Sequence, residues 1–179
     1  MMVAAPPLSR AGPRRLPLAT LWAGAAALAS AAMLAAAHAF ETFGGYAPCA
    51  LCLTAREIYW MALAIGGLGF VASAALRNAW LAQLTAAVLT LAFLVGIGIA
   101  VYHAGAEWKF WPGPSTCAGA LTGAGAAGGD LLAELQKPIA VVPCDEAAWR
   151  MFGVSMAGYN AVISFGLMAL SAWAAQQRS

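Results

Sequence analysis

The chain has 179 residues, 63% of them hydrophobic and only 9% charged, with a formal net charge of +2 and a mean hydropathy of +0.77. Such values lie far outside the soluble range and place the chain in a membrane. The small net charge, with no basic stripe interleaved with aromatics, excludes a nucleic-acid surface.

Residues 1–15 read as a basic tail containing Arg10, Arg14 and Arg15. Residues 16–40 then run without charge, long enough at 1.5 Å per residue to cross a hydrocarbon core of about 30 Å. The basic start and the closing "AHAF" also resemble a secretory signal peptide with an Ala-x-Ala cleavage site. The apolar run exceeds the h-region of about 7–15 residues such a signal uses, so it is read as an uncleaved first span.

Residues 41–52 form a short loop holding Cys49 and Cys52, and residues 53–76 form a second span with Arg56 and Glu57 near its start. Only "RNA", residues 77–79, separates it from a third span at 80–103, so these two helices are antiparallel neighbours. A large loop at 104–155 carries Cys117 and Cys144. The fourth span covers 156–174, and residues 175–179 are a tail.

Basic residues sit before the first span, between the second and third, and after the fourth, at Arg178, which the positive-inside rule assigns to the cytoplasm. All seven acids, Glu41, Glu57, Glu107, Asp130, Glu134, Asp145 and Glu146, then fall on the opposite side, as do all four cysteines. An extracytoplasmic compartment is where disulfides form and persist. The large loop is too short for a conventional domain with its own core. Its residues 119–129, "GALTGAGAAGG", are flexible by composition, and "DLLAELQKP", residues 130–138, predicts a short amphipathic helix on the membrane surface.

The Cys49-x-x-Cys52 pair admits several chemistries. Haem attachment needs His directly after the second Cys, where Leu53 stands. A structural zinc site uses two closely spaced ligand pairs, whereas Cys117 and Cys144 are far apart, so no metal is expected. A structural disulfide pinning the outer loop stays open for Cys117 and Cys144. Closing so small a ring as Cys49 to Cys52 constrains few unfolded conformations and stabilises little. A redox role has a physical basis, because Cys52 enters the second helix where free backbone N–H groups favour a thiolate. Arg56, one turn later, shares its face at about 5–6 Å between Cβ atoms. Its guanidinium either stabilises an anion on that face, or snorkels to the headgroups or pairs with an acid.

"PCALCLTAR", a separated cysteine pair in a later outer loop and four spans resemble the disulfide bond formation protein B (DsbB) family of bacterial inner-membrane thiol oxidases. "EWKFWPGPSTC" before Cys117 and "PCDEAAWRMFGVSMAGYNAVIS" around Cys144 resemble family segments too. The resemblance covers essentially the whole chain after the N-terminal tail. It implies an all-α membrane protein, a four-helix bundle with one short and one long periplasmic loop and both termini cytoplasmic.

The implied activity is reoxidation of a periplasmic DsbA-like thioredoxin-fold protein with reduction of a membrane quinone, ubiquinone or menaquinone. Such a chain of DsbA, DsbB and quinone keeps the bacterial periplasm oxidising. By the same resemblance, Cys117 meets the partner's thiolate, Cys144 is released to attack Cys49, and Cys52 interacts with the quinone ring. Arg56 stabilises the anionic states, and His103 resembles a family histidine near the quinone. The family often has an acid just before the arginine, whereas Ala55 precedes Arg56 here and Glu57 follows it.

Two other readings are weighed. A vitamin K epoxide reductase-like protein has its quinone-facing CxxC after the loop cysteines, and here the order is reversed. A non-enzymatic scaffold would use both disulfides structurally. Of the remaining residues, His38 marks the outer end of the first span. Gly66, Gly67, Gly69, Gly96 and Gly98 suit close helix packing rather than phosphate binding. Trp108 and Trp111 are interfacial anchors or part of the surface that DsbA meets.

Overall fold

A computed structural model describes residues 16–113 and 144–177. Four helices account for most of them: α1 (Leu18–Gly44), α2 (Ala50–Leu76), α3 (Ala79–Glu107) and α4 (Met156–Gln176). Each is long and apolar enough to cross a membrane. The four-helix membrane bundle expected from the sequence is therefore present. The expected surface helix at 130–138 and the glycine-rich segment before it lie outside the described residues.

Local signals set the helix ends. Cys49 caps α2, its sulfur accepting from the Cys52 N–H at 3.4 Å. Asn78 caps α3 by accepting from the Leu81 N–H, and Ser155 caps α4 by accepting from the Gly158 N–H. These caps satisfy donors that the first helical turn leaves unpaired. The link between α2 and α3 is reduced to Arg77, in the left-handed region at φ 50°, and Asn78. Before α4, a small hairpin pairs β1 (Arg150–Met151) with β2 (Val154–Ser155). Phe152 and Gly153 turn between them at φ 51° and 81°, the two positive angles that a tight two-residue hairpin demands.

Small residues let the helices approach. Ala23, Ala26, Ala62, Ala82 and Ala86 are fully buried, with Leu89 and Phe93 filling the centre. Large apolar side chains such as Leu28, Leu68, Leu91 and Val162 point outward, the inversion appropriate to a lipid surround. Hydrogen bonds cross between helices as well: Trp22 Nε1 donates to Ser171 Oγ at 2.9 Å, and Tyr59 OH donates to Asn160 Oδ1 at 2.6 Å.

Gly66 sits at a close α1–α2 approach, since a Cβ there would stand 2.8 Å from the Ala23 carbonyl oxygen. Backbone cannot swing aside as a side chain can. Gly66→Ala should therefore cost about 1–3 kcal/mol, the usual penalty of overpacking. Unfolding in mild detergent, compared with Gly67→Ala, where a Cβ meets nothing within 4 Å, checks this.

Beyond α3 the chain folds back on itself. The Trp111 ring occupies the space a Cβ at Gly105 would need, stacks on Tyr102 with centroids 6.0 Å apart, and donates to the Tyr102 carbonyl at 2.9 Å. Lys109 reaches Asp145 at 2.6 Å, tying the residue after Cys144 to this same end of the bundle.

Candidate functional site

Antiparallel packing brings the end of α1, the start of α2, the end of α3 and the start of α4 to one end of the bundle, where they enclose a cavity of about 310 Å³. Its walls are largely apolar, with Met33, Leu34, Phe40 and Ile163 among them. The polar lining is sparse and includes Cys49, Cys52, Arg56, His103, Glu107 and Asn160. Trp149 leans on Phe40 at a centroid distance of 5.5 Å, so the segment after Cys144 covers one side.

Cys49 and Cys52 are thiols with sulfurs 3.0 Å apart. Cys49 is buried at 5% exposure, and Cys52 is half-buried. The Cys49 sulfur also lies 3.7 Å from His103 Nε2. The bond from Cys52 draws the Cys49 thiol well below its ordinary value; burial opposes this, and the His103 contact adds to the lowering. A depressed thiol stays ionised as pH falls until its own low value is reached. Alkylation of Cys49 in the reduced protein should thus fall less than about twofold between pH 8 and 6, against roughly a hundredfold for an ordinary thiol. Mass mapping of iodoacetamide adducts at the two pH values measures this.

Arg56 lies one turn after Cys52, as its spacing requires. Its Nη1 donates to Glu41 Oε2 at 2.5 Å and its Nη2 to the Ala37 carbonyl at 3.1 Å. The guanidinium is thus both paired with an acid and part of the wall shared with Cys52. A guanidinium has five N–H donors, and these two bonds leave others free for an anion. Glu57, by contrast, points to the exposed side.

Cys144 is disulfide-bonded and 1% exposed. It is buried in one cluster with Cys49, flanked by Ala50, Leu51 and Cys52. Cys117 lies outside the described residues. Two sulfurs and the His103 nitrogen come within 4.8 Å of one another. The 3.0 Å sulfur separation is shorter than the about 3.8 Å that 2.3 Å bonds at a tetrahedral zinc would require. Thiol chemistry fits this spacing better than zinc ligation.

A family model described as Disulfide bond formation protein DsbB matches residues 19–174. The chain belongs to the DsbB family. Neither the curated proteins nor the solved structures compared gave a match. DsbB proteins support disulfide bond formation coupled to membrane quinones, and membership carries that general role, with its multi-pass membrane setting, to this chain.

Two site residues escaped the sequence reading. Glu41, 15 residues before Arg56, was visible only as an acid on the outer side. Glu107 has a local signal, standing one turn after His103, with its Oε1 3.7 Å from His103 Nε2. Its Oε2 is buried and without a hydrogen-bond partner among the described residues.

Proposed function

We propose that the chain reoxidises a periplasmic DsbA-like dithiol protein and passes the two electrons to a membrane quinone, ubiquinone or menaquinone, from the outer end of the bundle. The observation that carries this reading is the burial of Cys144 against Cys49, with Cys52 in turn 3.0 Å beyond it and facing the cavity. Disulfide exchange needs an attacking sulfur close to its target, and the shared burial of Cys144 and Cys49 supports this order of transfer.

On this reading the partner's thiolate attacks Cys117 in a Cys117–Cys144 disulfide, and Cys144 leaves as a thiolate. Cys144 then attacks Cys49 in a Cys49–Cys52 disulfide, and Cys52 leaves in turn. The partner's second thiol attacks the partner's own sulfur in the mixed disulfide with Cys117, releasing oxidised partner and a Cys117 thiolate. That thiolate attacks Cys144, recloses the loop disulfide and leaves Cys49 and Cys52 reduced. Thiols at Cys49 and Cys52 beside a disulfide-bonded Cys144 match the stage at which the loop is closed and the electrons rest on the helix pair.

The cavity suits a quinone head: largely apolar walls for a flat ring, with Arg56, His103 and Asn160 among the polar groups. When bound, a quinone takes up two electrons and two protons. Arg56 holds a fixed positive charge beside Cys52, so negative charge developing there is stabilised where water is scarce. The low Cys49 thiol makes it a good leaving group when Cys117 attacks Cys144 and the loop disulfide recloses.

Purified full-length protein, a short-chain ubiquinone and a reduced DsbA-like protein, followed by quinone absorbance and thiol content together, test the reading. One quinone should disappear per disulfide made. Partner oxidation with no matching quinone loss would sink it.

A further inference from the structure

His103 and Glu107 stand one helical turn apart at the end of α3, and both are buried, with side chains 9% and 5% exposed. The same atom, His103 Nε2, lies 3.7 Å from the Cys49 sulfur and 3.7 Å from Glu107 Oε1. A buried carboxyl oxygen without a partner is costly. Here Glu107 Oε2 has no partner among the described residues, on a residue that lines the cavity shared with the redox thiols.

Resting on the quinone-coupled reading, we infer that Glu107 is a proton-carrying residue that acts through His103, holding the proton that the ionised Cys49 has given up and returning it inside the cavity. Closing a disulfide from two thiols releases two electrons and two protons, and a quinone becoming a quinol consumes the same two of each. Cys49 is ionised in the reduced pair, so one of those protons has already passed from its sulfur to His103 Nε2, from which Glu107 Oε1 takes it, while the other remains on Cys52 until the pair closes. Because both neighbours face one nitrogen, the transfer needs neither a ring flip nor a change of tautomer at Nδ1. Rotation of the neutral carboxyl brings the proton to Oε2, which bonds no described residue, on a side chain that lines the cavity. Small movements or one bridging water close the 3.7 Å gaps.

Charged and titratable groups on the surrounding elements meet the same cavity: Glu41 from α1, Cys52 and Arg56 from α2, Glu146 from the loop and Tyr159 from α4. Among them Arg56 is held by Glu41, and Cys52 already bonds Cys49.

The test uses full-length protein in lipid nanodiscs with a short-chain ubiquinone and a reduced thioredoxin-fold dithiol protein, comparing wild type, Glu107→Gln and Glu107→Asp. Gln keeps the size and polarity but cannot carry the proton. For Glu107→Gln we expect kcat to fall about tenfold or more, within the range of general acid–base effects. The KM for quinone should stay about the same, and the deuterium solvent isotope effect on kcat should rise. The single disulfide exchange that proceeds without quinone should keep its wild-type rate, and Glu107→Asp should recover part of kcat.

Wild-type kcat and isotope effect in Glu107→Gln would overturn the inference. So would equal losses in turnover and in quinone-free exchange, which assign Glu107 to packing. A wild-type protein that never consumes quinone would remove the functional reading itself, a result distinct from a working enzyme indifferent to Glu107.

Discussion

Cys52→Ser should oxidise a single equivalent of reduced partner and then stop, with quinone-dependent turnover down at least about a thousandfold, as expected when a residue forming the covalent bond is lost. Serine cannot close a disulfide with Cys49, so the second exchange has no acceptor and the loop cysteines stay reduced after one cycle. The fold should survive, because the backbone N–H of residue 52 still donates to the Cys49 sulfur that caps α2. Stopped-flow counting of partner thiols, with quinone absorbance in parallel, separates one equivalent from none. Continued turnover in this variant would mean that electrons leave by a route that avoids Cys52.

The second large effect is expected at Arg56. Arg56→Met should lower kcat by about a hundredfold or more, the usual consequence of removing one fixed group that stabilises developing charge in a water-poor site. Stability should change little by comparison. The Glu41 carboxylate that Arg56 would abandon is 40% exposed, so water can solvate it, and exposed ion pairs are worth roughly 0–1 kcal/mol. Arg56→Lys should fall between, keeping the charge while losing the planar fork that binds Glu41 and the Ala37 carbonyl together. Steady-state kcat and KM measured beside thermal unfolding separate the two roles. Turnover within about twofold of wild type in Arg56→Met would leave the arginine as a strut between α1 and α2.

Much of the architecture follows from local composition. A membrane helix satisfies its own backbone hydrogen bonds and needs only enough apolar length, so four spans are legible without knowing what packs against what. The start of α2 is local as well. Pro48 precedes a cysteine whose sulfur can cap the helix, and one turn later any residue shares the face of Cys52, which locates Arg56 before any neighbour is known. The very short link at Arg77 and Asn78 makes α2 and α3 antiparallel for the same local reason.

Contacts between helices are another matter, because the rotation of each helix about its axis decides them. Small residues at the crossings set that rotation, and alanines are so common along these spans that hydropathy cannot tell buried ones from those facing lipid. Only the packed bundle shows that Glu41 on α1 holds the Arg56 guanidinium, and that His103, 54 residues from Cys49, brings Nε2 to its sulfur. Only there does Cys144 come to rest against Cys49. Sequence by itself determined a membrane bundle with a cysteine pair and an arginine on one face of a helix start. Tertiary structure decided which partners that face meets, since a side chain's neighbours across a bundle depend on helix rotation and crossing, which no local spacing encodes.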